Sequence, residues 1–317
     1  MKSRILRFVV SAGLLALVLA FADWHEVWRV LSTVAPLWVV AAAALAFADR
    51  VLTNHRWQAL LAGRGVQIDY WRLFRVQLAA NFVGSFLPGF IGVDAIRIAA
   101  LVRAGEPTNE VIAATLVDRV TIALATVLVG ALTILALAQA RLPPGLVQFV
   151  LLLALLGLLG LATLVLPAVR RWARLSLLPR IPERLRHRVH GVADAALAYR
   201  LQPRLAAWVA AWTLAIFVVR LLFALSLGHA CGIAIPWRDL LLVIPVLWVV
   251  VMAPITIGGI GVQDAGYVVL MGLIGIGAPI AVSMSLLEHV VSRAVSLPGA
   301  LFLRDAMPER SGPVASS

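Results

Sequence analysis

Lysine is almost absent from this 317-residue chain, with Lys2 the only one. A nucleotide-binding P-loop needs a lysine after its glycine-rich turn, and no such motif occurs, which argues against ATP hydrolysis by this chain. Cysteine is as scarce. Cys231 alone excludes an intrachain disulfide and cannot build a cysteine-based metal site by itself, so a free core thiol is its expected state. Acidic residues number only 15, and the sequence shows no clustered aspartates for magnesium, no His-Glu-x-x-His helix and no exposed nucleophile motif. No catalytic residue, metal ligand or cofactor is assigned. Charge of either sign is rare, at 13% of residues.

What remains is apolar. Hydrophobic residues make up 62% of the chain, the mean hydropathy is +0.99, and several runs exceed the ~18 residues that mark a spanning helix. The expected fold is all-α: a polytopic integral membrane bundle in which residues 1–317 form a single membrane domain. It leaves no room for a separate soluble catalytic domain. The net charge of +12 does not indicate a nucleic-acid partner, because the arginines cluster in alternate loops. The connection at 169–204 holds Arg170, Arg171, Arg174, Arg180, Arg184, Arg186, Arg188, Arg200 and Arg204 against Glu183 and Asp194, which makes it cytoplasmic by the positive-inside rule. Lys2, Arg4 and Arg7 place the N-terminus inside, and Arg304 and Arg310 place the C-terminus inside, as in a bacterial-type inner membrane. Ala20-Phe21-Ala22 also fits the small-x-small pattern of a cleavable signal; the remaining topology is the same either way.

Six full spans are expected, at about 8–22, 34–53, 111–138, 146–166, 205–227 and 280–303, with Arg56, Arg64, Arg72 and Arg75 in a basic inner loop after the second. Within the large basic loop, Leu185, Val189, Val192, Ala196 and Tyr199 share one face of a helix opened by Pro182. That pattern suits an interfacial helix on anionic headgroups, and equally a solvated helix packed on other loops.

Two further apolar segments, 73–101 and 240–275, are each broken by nearly the same glycine-rich sequence. The first reads Pro88-Gly89-Phe90-Ile91-Gly92-Val93-Asp94-Ala95 and the second Gly258-Gly259-Ile260-Gly261-Val262-Gln263-Asp264-Ala265, in which Ile91–Ala95 and Ile260–Ala265 match apart from one inserted Gln. Ordinary kinks would also use Gly and Pro. Paired interruptions at corresponding places in two halves, however, are the sequence mark of a transporter site built from broken helices. The flanking charges make the first segment a re-entrant hairpin from the cytoplasm and the second one from the outside. Residues 34–138 and 205–304 are thus expected to be inverted repeats.

Glycines at the breaks, Gly89, Gly92, Gly258, Gly259 and Gly261, allow close backbone approach to a ligand. The helices after Gly92 and Gly261 would present their N-terminal N–H groups to a phosphate or carboxylate. Charges at membrane depth cost about 2.5–3.5 kcal/mol each on insertion scales, so Asp94, Arg97, Asp118, Arg119, Arg220, Asp264, Glu288 and Arg293 are candidate functional residues. Asp94 and Arg97 are spaced to pair on one helix face. Asp118 and Arg119 point about 100° apart and need partners elsewhere. Arg220 is too deep to snorkel, and a lipid phosphate or a carboxylate such as Asp118 is its expected partner. Glu288 and Arg293 form a polar stripe with Ser285, His289 and Ser292, suited to proton relay or to interhelical hydrogen bonding. Asn81 would support the broken backbone.

Together these residues resemble a flippase-like membrane family typified by the transmembrane region of lysylphosphatidylglycerol synthases. The marks are Arg56-Trp57 with Leu60-Leu61 and Gly63, Asn81 with Leu87-Pro88-Gly89, Gly92, Asp94 and Arg97, then Asp118-Arg119 and Gly258-Gly259-Ile260-Gly261-Val262. The chain departs from the pattern at Val93, where a second glycine is usual, and at Gln263-Asp264, where a basic residue and glutamate are usual. Val93 restricts backbone approach, which implies a headgroup that is bulkier, differently placed or different in kind. The sequence stops at Ser317 without the synthases' soluble aminoacyl-transferring domain, so the resemblance implies the lipid-translocating half.

The expected function is movement of an anionic or zwitterionic (phospho)lipid or lipid-linked precursor between leaflets, with the head at midplane on Arg97, Arg119 and Arg220. Its partners would be membrane phospholipids or polyprenyl-linked lipids, with a lipid-modifying enzyme as a further partner. Transport would run down a gradient or couple to protons through Asp118 or Glu288. The alternatives are a membrane transferase on polyprenyl-phosphate lipids, with Asp94 and Asp118 as acid and base, and a noncatalytic membrane subunit of a lipid-modifying synthase.

Overall fold

A computed structural model of the chain describes residues 23–87, 91–137, 194–252 and 260–306, and most of 144–157. Every regular element among them is helical. Helix α1 (Trp24–Ser32) is capped by Asp23, whose carboxylate accepts the backbone N–H groups of His25 and Glu26. It lays Val27 against Val282 and leaves Trp28 exposed. Then follow α2 (Pro36–Ala62), opened by Pro36 in its first turn, α3 (Tyr70–Gly84), α4 (Ile91–Arg103) and α5 (Thr108–Leu137). After a 3-10 turn at Ala198–Leu201 come α6 (Pro203–Ala230), α7 (Trp237–Met252), α8 (Val262–Leu273) and α9 (Ala278–Ser296). Helix α9 runs on through a 3-10 segment, Leu297–Phe302, into α10 (Leu303–Ala306).

Among the described residues, four helices are long and apolar enough to cross a membrane: Pro36–Ala62, Thr108–Leu135, Pro203–Ala230 and Ala278–Ala306. They correspond to four of the six expected spans. The span at 8–22 lies outside the described residues. Of 146–166, most residues between 147 and 157 are described; those are helical, and Val150 and Ala154 pack into the main apolar core. Outward-facing Leu37, Val40, Leu132 and Leu214 stay exposed, as lipid-facing residues do, since acyl chains are as apolar as leucine.

One boundary differs from expectation. Helix α2 does not end near Thr53 but continues to Ala62, so Arg56 is not in a basic loop. It is 2% exposed inside the bundle. The charge is tolerated there because Asp118 pairs with it; sequence position alone makes an arginine after an apolar run look like a membrane boundary.

Among the described residues, the two broken segments each contain two short helices. Helices α3, α4, α7 and α8 have 15, 13, 16 and 12 residues, roughly 18–24 Å at ~1.5 Å per residue against a hydrocarbon core of ~30 Å. Helix α3 packs on α4, and α7 on α8. The breaks themselves, residues 88–90 and 253–259 with Gly89, Gly258 and Gly259, lie outside the described residues, as does the basic loop through residue 193 with Leu185, Val189 and Val192.

Two large apolar clusters, besides the small one around Val27 and Val282, hold the helices. The larger gathers Leu227, Leu240, Val246, Tyr267, Met271 and Met284 with Ala42 and Ala46 of α2. The smaller surrounds Trp57, Leu60 and Leu61, also of α2, with Leu73, Val111 and Val209. At its edge the Tyr199 hydroxyl donates to the Leu60 carbonyl at 2.6 Å, and burial pushes that phenol well above the usual tyrosine range. Helix α2 therefore serves both clusters, and Asp49, Arg50 and Thr53 fall on the stretch between.

Candidate functional site

The stretch of α2 between the two clusters opens on a cavity of about 200 Å³. Its wall includes Asp49, Arg50 and Thr53 of α2, Gln77 and Asn81 of α3, Val93 and Arg97 of α4, and Arg119 of α5. Arg220, Trp248, Gln263, Glu288 and Arg293 complete it from α6 to α9. Both broken segments thus reach the same cavity. Asp49, Arg119, Arg220 and Glu288 each lie ten to thirteen residues from the nearer end of their spanning helix, roughly 15–20 Å at ~1.5 Å per residue. Half the hydrocarbon thickness is ~15 Å, so these charges sit near mid-depth.

On one side the charges form an alternating ladder. Arg56 Nε donates to Asp118 Oδ1 at 2.8 Å and its Nη1 to Thr213 Oγ1 at 3.2 Å, tying α2 to α5 and α6. Arg97 Nη1 lies 3.4 Å from both Asp118 Oδ2 and Asp94 Oδ1. Asp94 in turn accepts two bonds from Arg119, that from Nη2 at 2.7 Å. The Arg97 guanidinium lies 3.7 Å from the Trp57 ring centroid, and the Trp57 indole donates to Thr115 Oγ1 at 3.3 Å. Ion pairs this deep are held by their mutual bonds, and removing one partner strands a buried charge.

A second, smaller set joins α2 to α6. Arg220 Nε donates to Asp49 Oδ1 at 2.7 Å, Arg50 Nη1 to Asp49 Oδ2 at 3.0 Å, and Arg220 lies 4.3 Å from the Trp248 ring centroid. The partner of Arg220 is therefore Asp49 and not Asp118, because Asp118 is already clamped by two guanidiniums. The third set lies between α8 and α9. Asp264 accepts Gly261 N–H at 2.8 Å and Ser285 Oγ–H at 2.6 Å, with His289 Nε2 at 3.2 Å. The Tyr267 hydroxyl donates to Glu288.

The cavity brings together Asn81, Arg97, Arg119, Arg220 and Glu288 among the sequence-assigned residues, with Arg293, His289 and Ser292 of the polar stripe. Asp94 and Asp118 stand behind the wall as counter-charges. Four assignments change. Gly92 lies within the first turn of α4, not before it, and a Cβ there would come 2.6 Å from Leu87, so its small size serves packing. Gly261 caps α8 at φ 90°, a backbone region that favours glycine. Asp264, three residues on, reaches back to that cap's N–H, so this N-terminus already holds a carboxylate in place of a ligand. Ser285 faces Asp264 and leaves the stripe. Val93, the departure from the glycine pattern, seats against Gly84, where a Cβ would lie 2.3 Å from Val93 Cγ2: the two positions exchange bulk.

Asp49 and Arg50 were legible in principle. They repeat the Asp-Arg adjacency of Asp118-Arg119 within an apolar run. Gln77 and Gln263 carry no such signal, since a single amide in a helix is common.

A polytopic helical membrane protein with a charged cavity at mid-depth is the class that fold and site define. The family model for the lysylphosphatidylglycerol synthase TM region matches residues 4–299, and the chain belongs to that family. It is thereby an integral membrane protein related to lipid-modifying synthases. No curated protein matches the chain.

Proposed function

We propose that the protein translocates a lipid whose anionic or zwitterionic head passes through this cavity while its tails stay in the bilayer. The observation that carries the proposal is one cavity at mid-depth, walled by both broken segments and rich in arginine. Charged groups at that depth are retained where they serve a pathway or site, and broken backbone is tolerated where it lines a wet cavity. Inverted repeats at 34–138 and 205–304, moving against each other, would expose the cavity alternately to each leaflet. The membrane is a bacterial-type inner membrane with both termini cytoplasmic, following the arginine distribution. Of the two carboxylates assigned to proton coupling, Asp118 is occupied by Arg56 and Arg97. Glu288 lines the cavity with a phenol as its partner, and it is the proton carrier if movement is coupled.

A transferase on polyprenyl-phosphate lipids would need Asp94 or Asp118 as a free acid or base, and guanidiniums engage both. The family supports a second reading, a membrane subunit that positions a lipid-modifying synthase through its basic loop. Transbilayer movement of fluorescent phospholipids and polyprenyl-phosphate lipids in proteoliposomes tests the choice. Loss of movement in Arg220→Ala at unchanged folding is expected. No movement of any lipid by the wild type, with or without a proton gradient, would transfer support to the subunit or the transferase.

A further inference from the structure

We infer that α1 is a lipid-interface helix: it lies along the membrane surface with Trp28 among headgroups and upper acyl carbons, and through Val27 it ties the second broken segment to that leaflet. The inference rests on the bundle spanning a membrane and not on what the cavity carries. The sequence of α1 gives it three faces, roughly a third of a turn apart. Val27 and Val30 form the first, which faces protein: Val27 is 1% exposed against Val282 of α9, with Ala265 and Val268 of α8 alongside, and Val30 packs on the main apolar cluster. His25, Glu26 and Arg29 form the second, where Glu26 and Arg29 pair with each other. Trp24 and Trp28 form the third, and Trp28 keeps 73% of its surface accessible. A surface helix in water needs only a core face and a solvent face. A third, aromatic face fits a helix at a boundary, with protein beside it, water on one side and hydrocarbon on the other.

The place of α1 in the fold identifies what covers that face. Its chain leads directly into Pro36 at the start of α2, and just before it Ala35 N–H donates to the Ala230 carbonyl at the end of α6, at 3.1 Å. Val282 lies about one turn into α9. Helix α1 is therefore held at the level where spanning helices enter the bilayer. Two more exposed tryptophans stand at that end of the bundle, Trp38 in the first turn of α2 and Trp237 at the start of α7, and tryptophan is enriched at membrane–water boundaries. The lipid-facing surface of α2 begins in the same turn, with Leu37 and Val40 exposed, so the aromatic face of α1 continues a surface that already meets lipid. Indoles carried on three separate helices at one level suit a leaflet, whereas one protein partner would need them gathered in a patch.

The test uses the full chain in dioleoyl phosphatidylglycerol nanodiscs, with Trp28→Cys or Arg29→Cys in a Cys231→Ala background and an environment-sensitive fluorophore on the new thiol. At Trp28→Cys the label is expected to emit in the blue-shifted, apolar range and to be quenched about threefold more by lipid spin-labelled near its head than by aqueous iodide, with the reverse at Arg29→Cys. Lipid spin-labelled at the chain end should quench it about twofold less than the shallow probe, because interfacial helices sit only ~5–10 Å into the boundary. Equal iodide access at the two positions would overturn the inference in favour of a solvated helix. A Trp28→Cys label shielded from both iodide and spin-labelled lipid would overturn it in favour of a covering segment or a second chain. The wild type supplies a check that needs no variant to fold: in nanodiscs holding one chain each, hydroxyl-radical oxidation of Trp28 is expected to fall about fivefold below that in the unfolded chain, as for an indole within an aromatic belt. Oxidation at the unfolded rate would overturn the inference.

Discussion

The two glycine-rich breaks carry nearly the same residues, yet their aspartates do different work. Asp94, in the first, reaches outward to Arg119 on another helix and toward Arg97 on its own. Asp264, in the second, turns back to the N–H of Gly261 and takes Ser285 Oγ–H from α9. One is a member of an ion-pair ladder through three helices; the other secures a helix start and a neighbour. The shared residues therefore fix neither a common side-chain role nor a common backbone place, for Gly92 lies within the first turn of α4 whereas Gly261 caps α8 at φ 90°. The chemistry at each copy is set by which charges the surrounding helices present, and the first half presents arginines where the second presents serine and histidine.

If the first half is held by cross-helix charge and the second by local bonds, Asp118→Asn has the largest effect. It leaves Arg56 and Arg97 short of their shared counter-charge, and a loss of about 3–5 kcal/mol of stability is expected, read as a collapse of the detergent unfolding transition. Asp94→Ala is next, at about 3 kcal/mol, because Arg119 loses a two-bond partner; lipid movement should be lost with it. Gly299→Ala tests a link between the halves. A Cβ at Gly299 would lie 2.1 Å from the Leu78 carbonyl, so the segment after α9 and helix α3 must separate, at about 2 kcal/mol, lowering the unfolding midpoint. Asp264→Ala should cost least, about 1 kcal/mol for a lost cap, and leave movement near the wild-type rate. Equal losses of movement in Asp94→Ala and Asp264→Ala would erase the distinction between the two copies.

Spanning helices were the most legible part of the fold, because apolar run length is a one-dimensional quantity. The end of α2 is illegible for a related reason: Arg56 resembles a boundary residue until Asp118, 62 positions away, is known to be beside it. For the same reason Arg220 could be recognised as a charge facing the protein interior but not matched to Asp49, 171 positions away. The separate orientations of Asp118 and Arg119 followed from helix geometry and hold in the structure, where the first faces Arg56 and Arg97 and the second faces Asp94.

By itself the sequence determined that the chain lives in a membrane, that it is helical, that two apolar segments carry nearly the same glycine-rich motif, and that some of its rare charges, Arg97 and Asp118 among them, are buried within it. These follow from local composition and period, which each segment carries alone. Only the tertiary structure decided which charges pair, which stand behind the cavity wall and which face into it. Those outcomes depend on distances between residues far apart in the chain, and a difference of a few ångströms separates a counter-charge from a binding group.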